Sequence, residues 1–251
     1  MITTVLFDMG GTLEDIWYNE ETESAVTTEI MNCLERHGLQ PICERSFFRE
    51  KFFSNMKRYK AWSEKAELEK KPEEIWTEYH LQGLVNNPEE AKGFTEELAK
   101  ILEEVHFHRE LRPGVAEALE ELQARGFKLG IISNTASLYS VFDVLEKYGI
   151  RKYFRDVTLS SVTGYRKPHK SIFDISLRQM QSKPEECVYV GDTISRDIIG
   201  AKKAGFRTAI QIKSFLSKEK DSAVAPEWKP DFIVESIGDV LTCIETLNAS
   251  A

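Results

Sequence analysis

Short apolar runs recur along the chain and are separated by polar segments. The first run, residues 3–7, is β-branched and aromatic, and it ends at Asp8, shortly before two glycines. Apolar runs of this length that glycine interrupts are typical of strands buried on both faces of a sheet. The same pattern predicts strands at 128–132, 157–159, 187–190 and 208–212, with an edge strand at 232–234.

Helical patterns alternate with these runs. Apolar residues recur three and four positions apart in the segments 115–122, 141–148, 172–177 and 198–201. Glycine ends three of these segments, at Gly126, Gly149 and Gly205. Strands that alternate with helices are joined by right-handed crossovers. We therefore predict an α/β fold, with a Rossmann-like parallel sheet core and helices on both faces.

Residues 16–110 break this alternation, because no strand pattern is evident there. Val26, Ile30 and Leu34 are spaced by four, and helical stripes also occur at 72–81 and 98–105. We predict that this segment, called the helical insertion below, is an inserted all-α cap domain.

The remaining residues, 1–15 and 111–251, would form the α/β core domain. Within it, residues 213–230 are polar and contain two prolines, which predicts a surface loop.

Composition limits the function classes. The 251 residues carry 33 Lys and Arg against 41 Asp and Glu, which gives a net charge of −8. This balance argues against a main role in binding nucleic acid or an anionic membrane. No apolar run approaches the roughly 18 residues of a membrane span, and no basic stretch of a signal peptide precedes the first apolar residues. Four widely spaced cysteines predict free thiols, and we expect a cytoplasmic protein of undetermined oligomeric state.

Polar residues and glycines follow four of the predicted strands. The groups are, in chain order, Asp8 with Gly10, Gly11 and Thr12; Ser133 with Asn134; Lys167; and Asp192 with Asp197. In a parallel sheet, ligands collect at the carboxyl ends of the strands. Carboxylates there bind a hard divalent cation, while a lysine, a hydroxyl and free amides bind an oxyanion. Together the groups predict a phosphoryl-transfer site.

These four groups resemble, in their order, the motifs of the haloacid dehalogenase superfamily of hydrolases, most of which are phosphatases. The resemblance covers residues 1–14 and 111–240. It implies that Asp8 is the nucleophile that forms an aspartyl-phosphate, and that the helical insertion closes over substrate. It also implies that Lys167 screens the charge between nucleophile and phosphoryl group, and that Ser133 holds phosphoryl oxygens.

The resemblance further implies a Mg²⁺ cofactor. The groups that would hold the ion are Asp8, Asp192, Asp197 and the backbone carbonyl of Gly10. Asp197 could instead orient the ion's waters or cap the following helix.

The substrate implied is a small phosphorylated metabolite, bound with the help of Gly11, Asn134 and Thr12. Thr12 suits fixing the loop after the strand better than touching substrate, and Asn134 could equally cap its turn.

Gly10 departs from the family pattern, because most phosphatases of the family carry a second aspartate two residues after the nucleophile. That aspartate protonates the leaving alcohol and then activates water, which contributes about 10²–10⁴-fold to the rate. Glu14, Asp15 or a cap side chain could replace it, although the pattern favours a solvated loop for both acids. Substrates with good leaving groups would not need the acid.

We therefore predict a Mg²⁺-dependent hydrolase of small phosphate esters or acyl phosphates. One alternative is a phosphonatase-like enzyme that uses a lysine of the helical insertion, with Lys51, Lys57 and Lys60 available. The dehalogenase branch, which also lacks the acid, does not use magnesium and fits Asp192 poorly. A phosphate-binding or regulatory protein with little turnover is a further alternative.

Overall fold

Eight strands occur in the described part of the chain. They are β1 (Thr4–Phe7), β2 (Glu14–Trp17), β3 (His108–Leu111), β4 (Lys128–Ser133), β5 (Asp156–Leu159), β6 (Cys187–Gly191), β7 (Thr208–Ile212) and β8 (Phe232–Val234). In this computed structural model, which describes residues 1–214, 221 and 224–249, six of them form a parallel sheet in the order β5-β4-β1-β6-β7-β8. These six are the strands that the apolar runs predicted, so the α/β parallel sheet is confirmed.

Helices surround the sheet. Their bounds are α1 (Glu20–Arg36), α2 (Arg45–Ala66), α3 (Pro72–Ile75), α4 (Thr95–Ile101), α5 (Val115–Ala124), α6 (Ser140–Lys147), α7 (Ser160–Thr163), α8 (Lys170–Met180), α9 (Ile199–Ala204) and α10 (Gly238–Ala249). Three π-helical turns, at Trp76–His80, Leu102–His106 and Ile194–Ile198, extend α3 and α4 and precede α9. Short 3-10 helices lie at Pro88–Phe94, Arg151–Tyr153 and Pro184–Glu186.

The side chains of β1 alternate between two hydrophobic clusters, one on each face of the sheet. Val5 and Phe7 pack in the cluster that contains residues of α5, α6 and α10, whereas Leu6 packs with α8 and α9. Successive side chains of a strand point to opposite faces, so a run that is apolar throughout needs helices on both. Helices on both faces were predicted, and this prediction is confirmed.

The helical insertion has a hydrophobic cluster of its own. Val26 and Ile30 of α1 pack there against Phe48 and Phe52 of α2 and against Trp76. The predicted helical stripes correspond to α1, α3 and α4. The sequence did not single out α2, because its buried face mixes aromatic with polar residues and gives a weak apolar stripe.

The prediction that residues 16–110 contain no strand is wrong at both ends of the segment. There β2 and β3 pair in antiparallel fashion, with Glu14 opposite Leu111 and Trp17 opposite His108. Both strands are four residues long and mostly half-buried or exposed. A two-stranded ribbon of this kind has no continuous apolar run, so its pattern is not evident in the sequence.

The helical insertion contacts the rest of the chain beyond this ribbon. Glu69 N donates to Gly164 O at 2.9 Å, and Arg166 N donates to Glu67 O at 2.9 Å. Elsewhere, Glu96 accepts hydrogen bonds from the Ser137 hydroxyl at 2.5 Å and the Leu138 amide at 3.1 Å. These contacts hold the helical insertion against the edge of the sheet that carries the polar groups.

Two further sequence predictions concern the whole chain. All four cysteines are free thiols. None of the helices in the described ranges is long and apolar enough to cross a membrane. Of the predicted loop at 213–230, residues 215–220 and 222–223 lie outside the described residues, so the loop stays a prediction there.

Candidate active site

Asp8, Ser133 and Asp192 stand at the ends of three adjacent strands, β1, β4 and β6. β1 pairs in parallel with β4 on one side and with β6 on the other, where Phe7 is level with Val190. The amide of Asp8 continues this pairing by donating to Val190 O at 2.9 Å. The carboxyl ends of the strands therefore bring the three side chains to one edge of the sheet.

The ammonium group of Lys167 lies buried at the centre of this edge. It donates to Asp8 Oδ1 at 2.5 Å, to Asp197 Oδ1 at 2.7 Å and to the Tyr189 hydroxyl at 3.0 Å. Burial alone lowers the pKa of Lys167, but the two carboxylates outweigh burial and raise it above its usual value. The lysine is therefore a permanent positive charge beside Asp8.

The two carboxylates that Lys167 contacts differ in their pKa. Burial raises the pKa of Asp8, and the attraction of Lys167 offsets this only in part. Burial also acts on Asp197, but Lys167 and Arg196 outweigh it and hold the pKa of Asp197 below its usual value. Asp197 is therefore the firmly ionised partner of the lysine.

Asp197 is also bonded to the turn that precedes it. Its Oδ2 accepts from the amide and the hydroxyl of Thr193, at 3.1 and 2.6 Å. Its Oδ1 is shared by Lys167 and the Tyr189 hydroxyl. Both oxygens are thus engaged, and neither caps the following helix: α9 has Ile198 as its N-cap residue and no side-chain cap hydrogen bond, so the helix-capping alternative for Asp197 is wrong. No pattern in the sequence marked Tyr189, an interior residue of β6.

Asn134 fixes the backbone of Lys167. The amide of Lys167 donates to Asn134 Oδ1 at 2.9 Å, and Asn134 Nδ2 donates to Lys167 O at 3.2 Å. This double hydrogen bond joins the end of β4 to the segment after α7. It favours a positioning role for Asn134, and the predicted contact with substrate stays a prediction.

Asp8, Asp192 and Asp197 form a buried acidic cluster. One carboxylate oxygen of each lies within 4.8 Å of the others. The donor set consists of hard oxygen ligands, which Mg²⁺ prefers in proteins. A divalent cation would also offset the mutual repulsion of three carboxylates taken out of water. The residues present therefore fit a magnesium site.

The turn after Asp8 depends on Gly11. Its φ is +89°, and a Cβ at this position would lie 2.4 Å from Asp192 Oδ2. The amide of Gly11 donates to Glu14 O at 2.8 Å, so it is engaged within the turn. Thr12 is buried and is not among the described residues that line the neighbouring cavity. Phosphate binding by Gly11 and Thr12 accordingly stays a prediction.

A cavity of about 170 Å³ opens at this edge of the sheet. The predicted site residues that line it are Asp8, Gly10, Ser133, Asn134, Lys167 and Asp197. Arg109, Glu103 and Arg196 line it as well, and the sequence did not single them out. No motif marks these three residues. Pairing of β2 with β3 brings Arg109 to the cavity, and packing of the helical insertion brings Glu103 there; neither is visible as a local sequence pattern.

Glu14 also lines this cavity and is completely buried, so the solvated loop expected for it is wrong. The backbone bridges between Gly10 and Glu14, which turns the start of β2 back toward the end of β1. Asp15 points the other way: its side chain is 37% exposed and its carboxylate lies 3.4 Å from Arg112.

The three lysines of the phosphonatase alternative lie elsewhere. Lys57 and Lys60 are exposed on α2, Lys51 is half-buried, and none of them is among the described residues that line the cavity. The lysine that does line it is Lys167, which the acidic cluster engages.

A family model of haloacid dehalogenase-like hydrolases matches residues 2–205, which is most of the chain. The chain belongs to this hydrolase family. The match contains the four groups of polar residues at the strand ends, so the resemblance that those groups indicated is confirmed.

Curated relatives of this hydrolase are named as phosphatases. The glyceraldehyde 3-phosphate phosphatase of Methanothermobacter thermautotrophicus is 37% identical over 110 residues, which cover 43% of this chain and 48% of that protein. The phosphoglycolate phosphatase of Vibrio parahaemolyticus is 33% identical over 134 residues, covering 53% and 56%. The chain thus spans about half the length of the curated relatives it matches.

Solved structures of the family share the fold over nearly the whole chain. A phosphatase of Thermococcus onnurineus superposes with a TM-score of 0.60 at 22% identity, over 97% of this chain and 98% of that one. A 2-haloacid dehalogenase of Pseudomonas syringae gives a TM-score of 0.64 at 20% identity, over 98% and 100%. At this level of identity the likeness establishes the fold.

Proposed function

We propose that this hydrolase is a Mg²⁺-dependent phosphatase, which hydrolyses small phosphate esters or acyl phosphates through an aspartyl-phosphate on Asp8. The observation that carries the proposal is the contact of Asp8 with Lys167 at the floor of a cavity, beside two further buried aspartates. A nucleophile, a fixed positive charge and oxygen ligands for a cation are the three requirements of phosphoryl transfer to a carboxylate.

Asp8 supplies the nucleophile. One of its carboxylate oxygens attacks phosphorus while the bond between phosphorus and the leaving oxygen breaks. Water then attacks the phosphorus of the aspartyl-phosphate, and the electron pair of the broken bond returns to Asp8. The ammonium group of Lys167 stays beside Asp8 through both steps, because Asp197 and Tyr189 hold it in place.

Lys167 and Ser133 bind the transferring group. Lys167 offsets the repulsion between the carboxylate of Asp8 and the anionic phosphoryl oxygens. Ser133, buried at the end of β4 and lining the cavity, presents a hydroxyl that can donate to one of those oxygens. Asn134 keeps the lysine in register with the strand end.

Mg²⁺ would be held by Asp8 and Asp192, with Asp197 beside them; the Gly10 carbonyl as a fourth ligand stays a prediction. When bound, the ion supplies positive charge that draws electron density from the phosphoryl oxygens. This requirement separates the proposal from a dehalogenase-like reaction, which needs no cation.

The size of the cavity supports a small substrate. Drug-sized ligands occupy pockets of about 300–1,000 Å³, whereas this cavity measures about 170 Å³. The relatives named for glyceraldehyde 3-phosphate and phosphoglycolate act on molecules of that scale. We therefore propose a small phosphorylated metabolite as substrate.

The test is phosphate release from acetyl phosphate and ethyl phosphate, with Mg²⁺ and after treatment with EDTA. We expect turnover with Mg²⁺, its loss with EDTA, and no turnover by Asp8→Asn, which keeps the shape of the side chain but removes its charge. The unfolding temperature of Asp8→Asn should not fall, because Lys167 keeps Asp197 as its counter-charge and the repulsion between Asp8 and the two neighbouring aspartates is removed.

Unchanged hydrolysis by Asp8→Asn would overturn the aspartyl-phosphate mechanism. If the wild-type chain binds phosphate but releases none from any substrate, the binding or regulatory alternative replaces the phosphatase. Hydrolysis that is insensitive to EDTA would instead favour a cation-independent member of the family.

A further inference from the structure

The cavity beside Asp8 contains an acid that the proposed mechanism does not yet use. Glu14 has no solvent-exposed surface, and it lines the same cavity as Asp8 and Lys167. Carboxyl groups are rarely buried completely unless a partner or a function holds them there.

The position of Glu14 follows from the turn after the nucleophile. Leu13 N donates to Met9 O at 2.9 Å, and Gly11 N donates to Glu14 O at 2.8 Å, so the chain folds back on itself. A Cβ built on Gly10 would lie 4.0 Å from Glu14 Oε1. The carboxyl group thus lies close to the place where a side chain at position 10 would begin, although it comes from four residues later.

Two groups hold the carboxyl group of Glu14 in place. The Tyr148 hydroxyl donates to Oε2 at 2.9 Å, and Arg109 Nη1 contacts Oε1. Arg109 also contacts Glu103 through its second guanidinium nitrogen. Both protonation states of Glu14 therefore have a partner, because Arg109 balances the ionised form and Glu103 balances Arg109 when Glu14 is neutral.

One proton is readily held by this trio of Glu14, Glu103 and Arg109. With both glutamates ionised the trio carries one excess negative charge, and protonation of one of them removes it. Glu14 is the more buried glutamate, at 0% exposure against 15% for Glu103. Burial raises the pKa of Glu14 above its usual value, although Arg109 and Tyr148 act against this.

The other acids at the cavity have other roles. Asp8 is the nucleophile, and Asp197 is paired with the buried ammonium group of Lys167, which with Arg196 holds the pKa of Asp197 below its usual value, so Asp197 has no proton to give. Asp15 is directed toward Arg112 and solvent.

We propose that Glu14 is the proton-transfer residue of the reaction, in place of a side chain at Gly10. This inference rests on the proposed function. As Asp8 forms its bond to phosphorus, the leaving oxygen takes the electron pair of the breaking bond and the proton of Glu14, and departs as an alcohol. As water attacks the aspartyl-phosphate, its proton passes to Glu14, which restores the starting state.

The role of Glu14 specifies the substrate class. An alkoxide is a poor leaving group and needs this proton, whereas the carboxylate that leaves an acyl phosphate does not. Glu14 therefore makes alkyl phosphates substrates, and a restriction to activated phosphates is not required by Gly10.

The experiment compares Glu14→Gln with Asp15→Asn on ethyl phosphate and acetyl phosphate, two substrates of similar size. For Glu14→Gln we expect kcat/KM on ethyl phosphate, which reports the step that forms the aspartyl-phosphate, to fall by about 100-fold or more, and kcat/KM on acetyl phosphate to fall much less. Asp15→Asn should match the wild type on both. Equal losses on both substrates, or no loss on ethyl phosphate, would overturn the proposal.

A rescue and a wild-type measurement separate catalysis from folding. Gly10 has room for a side chain, since its built Cβ makes only ordinary contacts, the nearest at 3.6 Å to Ile16. Gly10→Asp added to Glu14→Gln should restore activity on ethyl phosphate preferentially.

For the wild type, kcat/KM on ethyl, 2-chloroethyl and trifluoroethyl phosphate should depend weakly on the acidity of the leaving alcohol. A steep dependence would reject Glu14 even if the variants failed to fold. Turnover that requires Asp8 but not Glu14 would reject this inference and leave the proposed function intact.

Discussion

Glu69 of the helical insertion forms a buried ion pair with Arg166, the residue directly before Lys167. Arg166 Nη1 contacts Glu69 Oε2, and the Ser160 hydroxyl donates to the same oxygen at 2.8 Å. The Tyr59 hydroxyl donates to Oε1. The pair thus ties the helical insertion to the segment that supplies the lysine of the site.

We predict that Glu69→Gln lowers the free energy of unfolding by about 3 kcal/mol, because it leaves Arg166 buried without its counter-charge. Urea unfolding measures the change. The matched control is Glu89→Gln, which removes an exposed partner of Lys92 on the same segment and should leave the midpoint unchanged. Equal stability of the two variants would show that the buried pair contributes nothing.

Substitution by alanine should affect stability at Gly11 but not at Gly10. At Gly11 the positive φ costs about 1–2 kcal/mol for any L side chain, and the new Cβ would collide with Asp192. Gly11→Ala should therefore lose both stability and activity. Gly10→Ala meets only ordinary contacts and should be as stable as the wild type. Thermal unfolding of both variants checks this, and a stable Gly11→Ala would contradict the turn described here.

Loss of a residue that only hydrogen-bonds to a metal ligand weakens metal binding by roughly 10–100-fold. Asp192→Ala should weaken Mg²⁺ binding by more than that. The reason is that Asp192 contributes one of the three clustered carboxylates. Calorimetric titration with Mg²⁺ measures affinity independently of turnover. Asp239→Asn, a change on the surface helix α10, is the control; similar Mg²⁺ affinities for the two variants would remove Asp192 from the ligand set.

His80 should make the protein sensitive to acid. Burial lowers its pKa to about 3, with a smaller effect from Arg58, so the folded state keeps the ring neutral. Between about pH 6.5 and pH 3 the unfolded chain binds a proton that the folded chain does not, so stability falls as the pH falls, by up to about 1.4 kcal/mol per pH unit.

His80→Phe should lessen that loss, since it keeps an aromatic ring against Phe52 and Trp76 but cannot take up a proton. Urea unfolding at pH 7 and pH 5 measures the effect. His106, whose pKa burial lowers to about 4, accounts for a remaining part. His108→Phe, at an exposed position, should lose as much stability as the wild type between the two pH values.

The sequence by itself determined the parallel sheet and the edge at which its polar residues meet. Buried parallel strands are continuously apolar, so β1 and β6 appear in the sequence as apolar runs. Each run stops at an aspartate, Asp8 or Asp192, which marks the end of the strand. The carboxyl ends of parallel strands necessarily share an edge, which is why these residues could be grouped before any contact was known.

Tertiary structure alone decided the surroundings of that edge. Glu14 and Arg109 are 95 positions apart, and their contact exists because two short, half-exposed strands pair across the helical insertion. Tyr189 belongs to no motif, and it contacts Lys167 because its side chain lies on the face of β6 where the lysine is buried. Such contacts depend on which long-range surfaces pack together, and neither periodicity nor spacing along the chain carries that information.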